Sequence, residues 1–315
     1  MVNSNIFLSV IGFFGGFYLL FKSAGFFVDA AVKISNHFHI SRLTTGIVIA
    51  GIATTAPETT VSVISSLRGF SHIAFGNAYG SIICNTGFAL GLAYLFAHRQ
   101  LSIKASDIKR MMFPLAVVVI VSVYFALNLT LSRIEGGVLL VLFALYMKYN
   151  SRKKEGKREK IPQQREALRP FLILIISLAC IILFSRVVVD SAATLARFAG
   201  ISDNVVGLTI IALGTSLPEI SASISAAIKN EPEIAVGNIV GANILNLLLV
   251  IGLASLARPI SIGAREFIQA VPFAIVFIVL LFLTLFVRKR LGIIKAFVLM
   301  GAYLAYNVLL FVQTI

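Results

Sequence analysis

Residues 51–60 read GIATTAPETT, which sets Pro57 and Glu58 inside an apolar run covering residues 43–67. That run is long enough to cross a bilayer, which takes about 20 residues. Proline removes a helical hydrogen bond and crowds the turn before it, and a carboxylate in hydrocarbon is expensive. A second stretch repeats the anomaly: residues 211–220 read IALGTSLPEI, with Pro218 followed by Glu219.

The correspondence extends well beyond these two motifs. Laid over 206–253 without gaps, 45–92 is identical at about a third of positions. The matches include Gly46/Gly207, Thr54/Thr215, Pro57/Pro218, Glu58/Glu219, Gly76/Gly237, Asn77/Asn238, Gly80/Gly241 and Asn85/Asn246. Shared apolar composition would align Ile with Leu, but it would not align Pro-Glu, Gly-Asn and Asn. The same offset pairs Asp29 with Asp190. The chain is therefore read as an internal repeat.

Composition places the repeat in a membrane. The 315 residues are 58% hydrophobic and 13% charged, about half the charge of an average soluble protein. Mean hydropathy is +0.96. Apolar runs fall at 4–32, 43–67, 72–97, 110–128 and 133–149, then at 170–196, 204–228, 233–256, 267–288 and 291–313. The fold expected is all-α and polytopic, with ten transmembrane helices in two five-helix repeats, 1–150 and 170–315. An odd number of spans per repeat inserts the second upside down, the inverted topology common among secondary transporters.

The net charge of +14 does not indicate nucleic acid. Eight basic residues lie within 151–169, beside three glutamates and no aromatics. This segment reads as a solvated cytoplasmic loop, which puts both termini outside and satisfies the positive-inside rule in the other loops. A multi-pass plasma-membrane protein is expected. The N-terminal run lacks the basic start of a cleaved signal and reads as the first permanent span. Cys84 and Cys180 sit in apolar stretches and indicate neither a disulfide framework nor a metal site.

The paired motifs are rich in oxygen. Proline frees carbonyls near Ala53 and Thr54 and near Gly214 and Thr215, and unwound backbone at membrane depth is tolerated where it lines a cavity. Hydroxyls of Thr54, Thr55, Thr215 and Ser216 and the two carboxylates complete a ligand set suited to Ca²⁺ or Na⁺. Asn77, Ser81 and Asn85 share one helical face; Asn238, Ala242 and Asn246 share the equivalent one. Glycines 76, 80, 237 and 241 have the spacing of close helix packing. Asp29 and Asp190 have a plainer reading, as partners of Lys22 and Arg186.

The blocks TTAPE…GNAYGSIICN and GTSLPE…GNIVGANILN resemble the alpha-repeats of the sodium/calcium exchanger branch of the cation/Ca²⁺ exchanger superfamily. The resemblance implies ten helices, with helices 2, 3, 7 and 8 around a cation site and helices 1 and 6 sliding against them. It implies that Glu58 and Glu219 bridge Ca²⁺, with the carbonyls of Thr54 and Thr215. Sodium positions would use the carbonyls of Gly51 and Ala212, the hydroxyls of Thr54 and Thr215, and Ser81, with Asn85 and Asn246 closing the centre. Ala242 and Asn246 replace a frequent Ser and an occasional Asp. Ala53, Thr55 and Ile82 stand where Gly, Ser and Asn are usual.

The expected function is Ca²⁺/Na⁺ antiport by a monomer in the lipid bilayer, with no cofactor and no enzymatic activity. No phosphate-binding loop of the G-x-x-x-x-G-K-[ST] type occurs in the sequence. The alternative keeps the site and exchanges H⁺ instead of Na⁺; a cation channel and an intramembrane aspartyl protease are the remaining rivals.

Overall fold

The computed structural model describes residues 2–97, 101–151, 165–199, 212–286 and 290–314. It is almost entirely helical. The first half comprises α1 (Val2–Phe38), α2 (Arg42–Thr54), α3 (Ala56–Leu67), α4 (71–96), α5 (Ala105–Ala126) and α6 (Arg133–Ser151). The second half comprises α7 (Arg165–Phe198), α8 (Ala212–Thr215), α9 (Leu217–Ile228), α10 (Pro232–Ala257), α11 (Ala264–Phe286) and α12 (Ile293–Thr314).

Seven helices among the described residues are long and apolar enough to cross a bilayer, and α2 with α3, bent by 41°, makes an eighth if counted as one span. The run expected at 133–149 forms α6, but Arg133, Glu135 and Lys148 occupy its ends and it falls short of that apolar criterion. The run at 204–228 is described only from residue 212. Of the expected loop, 152–164 lies outside the described residues, and Arg165 already belongs to α7.

Burial sorts the helices into layers. In α10 every residue from Ile234 to Leu245 is buried, as expected of a helix that is apolar all round. It crosses α2 at close range: a Cβ at Gly241 would lie 2.8 Å from the Ile47 carbonyl oxygen, and one at Gly46 would lie 2.7 Å from that of Ile234. Only hydrogen at both positions lets the backbones approach so closely. No described residue lies within 4 Å of such a Cβ at Gly76 or Gly80, whose repeat-equivalent neighbours near 207 are not described.

Around the core, α1 packs along α7, while α5, α11 and α12 carry exposed apolar side chains such as Ile120, Val276 and Phe297 toward lipid. Two short antiparallel ribbons tie the halves together. β1 (Leu101–Ser102) pairs with β4 (Arg290–Leu291), and β2 (Thr130–Leu131) pairs with β3 (Ile260–Ser261). Both cysteines are free.

Candidate cation site

The break in the first motif falls at Thr55, one residue earlier than a proline kink alone would place it. Thr55 has φ −77° and ψ −1°, α2 ends at Thr54, and α3 starts at Ala56. Pro57 thus stands in the first turn of a new helix, where its missing N–H leaves no partner unmet. Ser216 repeats this geometry, with φ −86° and ψ 0°, between α8 and α9. Each break sets a glutamate into the first turn of the following helix.

Glu58 and Glu219 are both fully buried. Each accepts from a hydroxyl of the opposite half: Thr55 Oγ1 donates to Glu219 Oε1 at 3.3 Å, and Ser216 Oγ to Glu58 Oε1 at 3.5 Å. The second oxygen of each carboxylate, Oε2, is buried and has no hydrogen-bond partner.

Asn77 and Asn238 form a frame around the carboxylates. Asn77 Nδ2 donates to the Glu58 carbonyl at 3.2 Å and to Ser62 Oγ at 2.9 Å, while its Oδ1 accepts from Thr215 Oγ1 at 3.3 Å. Asn238 mirrors every contact: Nδ2 donates to the Glu219 carbonyl at 3.4 Å and Ser223 Oγ at 2.9 Å, and Oδ1 accepts from Thr54 Oγ1 at 3.3 Å. The sequence put these asparagines on the right face but not among the ligands. Each instead bonds the backbone carbonyl of a glutamate and a hydroxyl on that glutamate's helix, and the cue was the asparagine recurring at the same distance from each Pro-Glu.

Asn85 and Asn246 each open a π-helical turn, Asn85–Ala89 and Asn246–Val250. Such turns widen a helix locally and concentrate at functional positions. Both side chains are fully buried with neither amide atom hydrogen-bonded. Leaving a buried amide unmet is costly, and four amide atoms and two carboxylate oxygens at the helix breaks and π turns have no protein partner among the described residues.

The remaining predicted residues divide. Ser81 Oγ lies within hydrogen-bond distance of Ser216 Oγ, at 3.3 Å, whereas Ala242, its counterpart, offers no hydroxyl. The Gly51 carbonyl accepts the Thr55 N–H at 3.0 Å and lies 3.5 Å from Thr54 Oγ1. Thr54 Oγ1 also lies 3.0 Å from the Ala50 carbonyl. Ala212 starts α8. Asn243, absent from the predicted set, donates to Thr86 Oγ1 at 2.9 Å and keeps a buried Oδ1 without a partner.

The aspartates are exposed on α1 and α7, and neither hydrogen-bonds a described residue of the centre. Asp29 pairs with Lys229 and not with Lys22, which sits 5.5 Å over the Tyr18 ring. The end of α9 folds against α1, and sequence separation gave no hint of that. Among the described residues no group of three or more His, Cys, Asp or Glu side chains forms, so the centre holds two carboxylates in an otherwise neutral oxygen and amide set.

The profile of the sodium/calcium exchanger protein family matches residues 8–151 and 169–312. The chain belongs to the sodium/calcium exchanger family. It is 32% identical over 312 residues to the putative antiporter CaxA of Alkalimonas amylolytica, covering 94% of this chain and 96% of that one. It is 27% identical to the sodium/calcium exchanger MaX1 of Methanosarcina acetivorans, with the same coverage of each. The fold matches a solved structure of the sodium-calcium exchanger NCX_Mj with a TM-score of 0.84 and 28% identity, covering 96% of this chain and 99% of that one. Family membership makes this chain a multi-pass membrane protein of the cation/Ca²⁺ antiport class.

Proposed function

We propose that the chain exchanges Ca²⁺ for Na⁺ across the plasma membrane by alternating access, as a monomer of ten spans in two inverted repeats, without cofactor or enzymatic activity. The observation that carries this reading is the pair of fully buried glutamates, each with one oxygen unpartnered, framed by two mirrored asparagines. Ca²⁺ or a set of Na⁺ ions would use those oxygens, the carbonyls and hydroxyls of residues 51, 54, 55, 212, 215 and 216, Ser81, Asn85 and Asn246. Two carboxylates supply −2, which one Ca²⁺, two Na⁺ or two H⁺ would neutralise. Only the neutralised core would change its facing, because uncompensated charge in hydrocarbon is expensive. The 151–169 segment would be cytoplasmic and the termini outside.

Proton coupling at the same site is the second reading, favoured by Ala242 and Asn246, which remove a hydroxyl and a third carboxylate. ⁴⁵Ca²⁺ uptake into proteoliposomes decides between them: a Na⁺ gradient drives uptake, and a pH gradient alone does not. Uptake driven only by the pH gradient overturns sodium coupling. Ala242→Ser returns the hydroxyl that Ser81 supplies on the other side and steepens the dependence on Na⁺; an unchanged dependence refutes that role.

The asparagine frame makes its own prediction. Asn77→Ala and Asn238→Ala each strip three hydrogen bonds from the centre without touching a carboxylate. Supports of this kind are worth about tenfold or more in metal affinity. Apparent Ca²⁺ affinity in the uptake assay is expected to fall by about that factor in each, and wild-type affinity in either would show that the frame is dispensable.

A further inference from the structure

The offset that carries Glu58 onto Glu219 also carries Asp29 onto Asp190 and Arg68 onto Lys229. Four charges near the ends of α1, α7, α3 and α9 therefore form two equivalent acid–base sets. The structure makes the contact in one set and leaves it open in the other. Lys229 Nζ donates to Asp29 Oδ1, fastening the end of α9 to α1. Among the described residues, neither Asp190 nor Arg68 takes part in an ion pair. Asp190 instead lines a cavity of about 160 Å³ that reaches Pro57, Thr215 and Pro218 beside the glutamates.

Helix coverage differs in the same sense. Every residue of α9 from Pro218 to Ala227 is buried, and α1 packs against that helix. On α3, Thr60 is exposed, while its counterpart Ser221 is fully buried, and α7 makes at most marginal contact with α3.

We propose that Asp29–Lys229 and Asp190–Arg68 are alternating latches, each closed when its own side of the bundle is shut. This rests on the alternating-access reading above. In an inverted repeat the two halves exchange conformations between facing states, so one structure displays both forms of the latch. The first is closed on the side assigned to the cytoplasm, and the second is open where the cavity reaches Thr215 and the two prolines.

The halves are not identical, and the difference sets a resting bias. Lys229 passes over Gly25, whose counterpart is Arg186, one turn from Asp190 and lining the same cavity. Among the described residues no Arg186–Asp190 ion pair forms in this state, but in the closed form Arg186 would compete for the Asp190 carboxylate and repel Arg68. The second latch is therefore the weaker, and the molecule rests with the Asp29 side shut.

A cysteine at the buried position Ser221 reports opening of the shut side. The probe is a small hydrophilic maleimide applied to the full-length, detergent-solubilised chain carrying Ser221→Cys and Cys180→Ser, with the same chain lacking Ser221→Cys as the blank. A partly exposed ion pair shifts a two-state ratio by about threefold. Asp29→Asn and Lys229→Gln are each expected to raise the labelling rate by about that factor, and Asp190→Asn to lower it. The exchanged pair, Asp29→Lys with Lys229→Asp, returns the rate to that of the reporter alone. Unchanged rates in both single variants overturn the latch, and so does an exchanged pair that labels as fast as they do, because that pattern marks a merely loosened helix. Labelling is independent of the ion carried, so a chain that shows this pattern but exchanges no Ca²⁺ refutes the transport reading and leaves the latch standing.

Discussion

Glu58→Gln and Glu219→Gln each reduce ⁴⁵Ca²⁺ uptake to the level of empty liposomes, a drop of about a hundredfold or more. Glutamine keeps nearly the shape of glutamate and still accepts from Ser216 or Thr55, so the folded chain elutes as the wild type does. What it removes is one unit of negative charge. With Ca²⁺ bound, the centre would carry an uncompensated positive charge through hydrocarbon, a penalty of about 3 kcal/mol or about a hundredfold. Both variants behave alike in this respect, because each removes one of the two buried carboxylate charges that the repeat relates. Ca²⁺ uptake retained by either variant refutes the two-carboxylate site.

The second large effect is structural and lies between α2 and α10. Gly241→Ala places a methyl group 2.8 Å from both the Cα and the carbonyl oxygen of Ile47. Backbone atoms in a helix cannot swing aside as a side-chain tip can, so the crossing must widen. Overpacking of this kind costs about 2 kcal/mol, and Gly241→Leu leaves no packed arrangement. Heating the purified chain before size-exclusion chromatography checks this: Gly241→Ala loses its monodisperse peak at a lower temperature, and Gly241→Leu yields none. Gly301→Ala, whose added Cβ meets no described residue within 4 Å, matches the wild type. Equal thermal survival of Gly241→Ala and wild type would show that the α2–α10 crossing is not the tight contact of the fold.

The difference between these predictions marks what the sequence made legible. Pro-Glu recurring at one offset identified the glutamates, because no compositional bias aligns that dipeptide twice. It did not reveal that Thr55 meets Glu219 and Ser216 meets Glu58, since a repeat shows which residues correspond and not whether they bond within a half or across halves. Asn77 and Asn238 were visible on a helical face, yet their support of the Glu58 and Glu219 carbonyls requires knowing how α3 packs on α4 and α9 on α10. The π turns at Asn85 and Asn246 left no mark in hydropathy, whose period they barely disturb. Glycine spacing announced close packing at 237 and 241 without naming α2 as the partner. Lys229 reaches Asp29 because the end of α9 folds against α1, a long-range contact that local charge spacing cannot encode.

The crossing of hydroxyls between halves also bears on how the protein is made. The ribosome delivers Glu58 to the membrane long before it delivers Ser216, the hydroxyl that meets it. Asn77 likewise waits for Thr215, and Thr54 for Asn238. The first half must therefore dwell in the bilayer with its carboxylate unmet by any partner from the second. Chain segments from about residue 212 onward close the centre in a late step, and a nascent chain stopped before them would expose a buried acid to lipid.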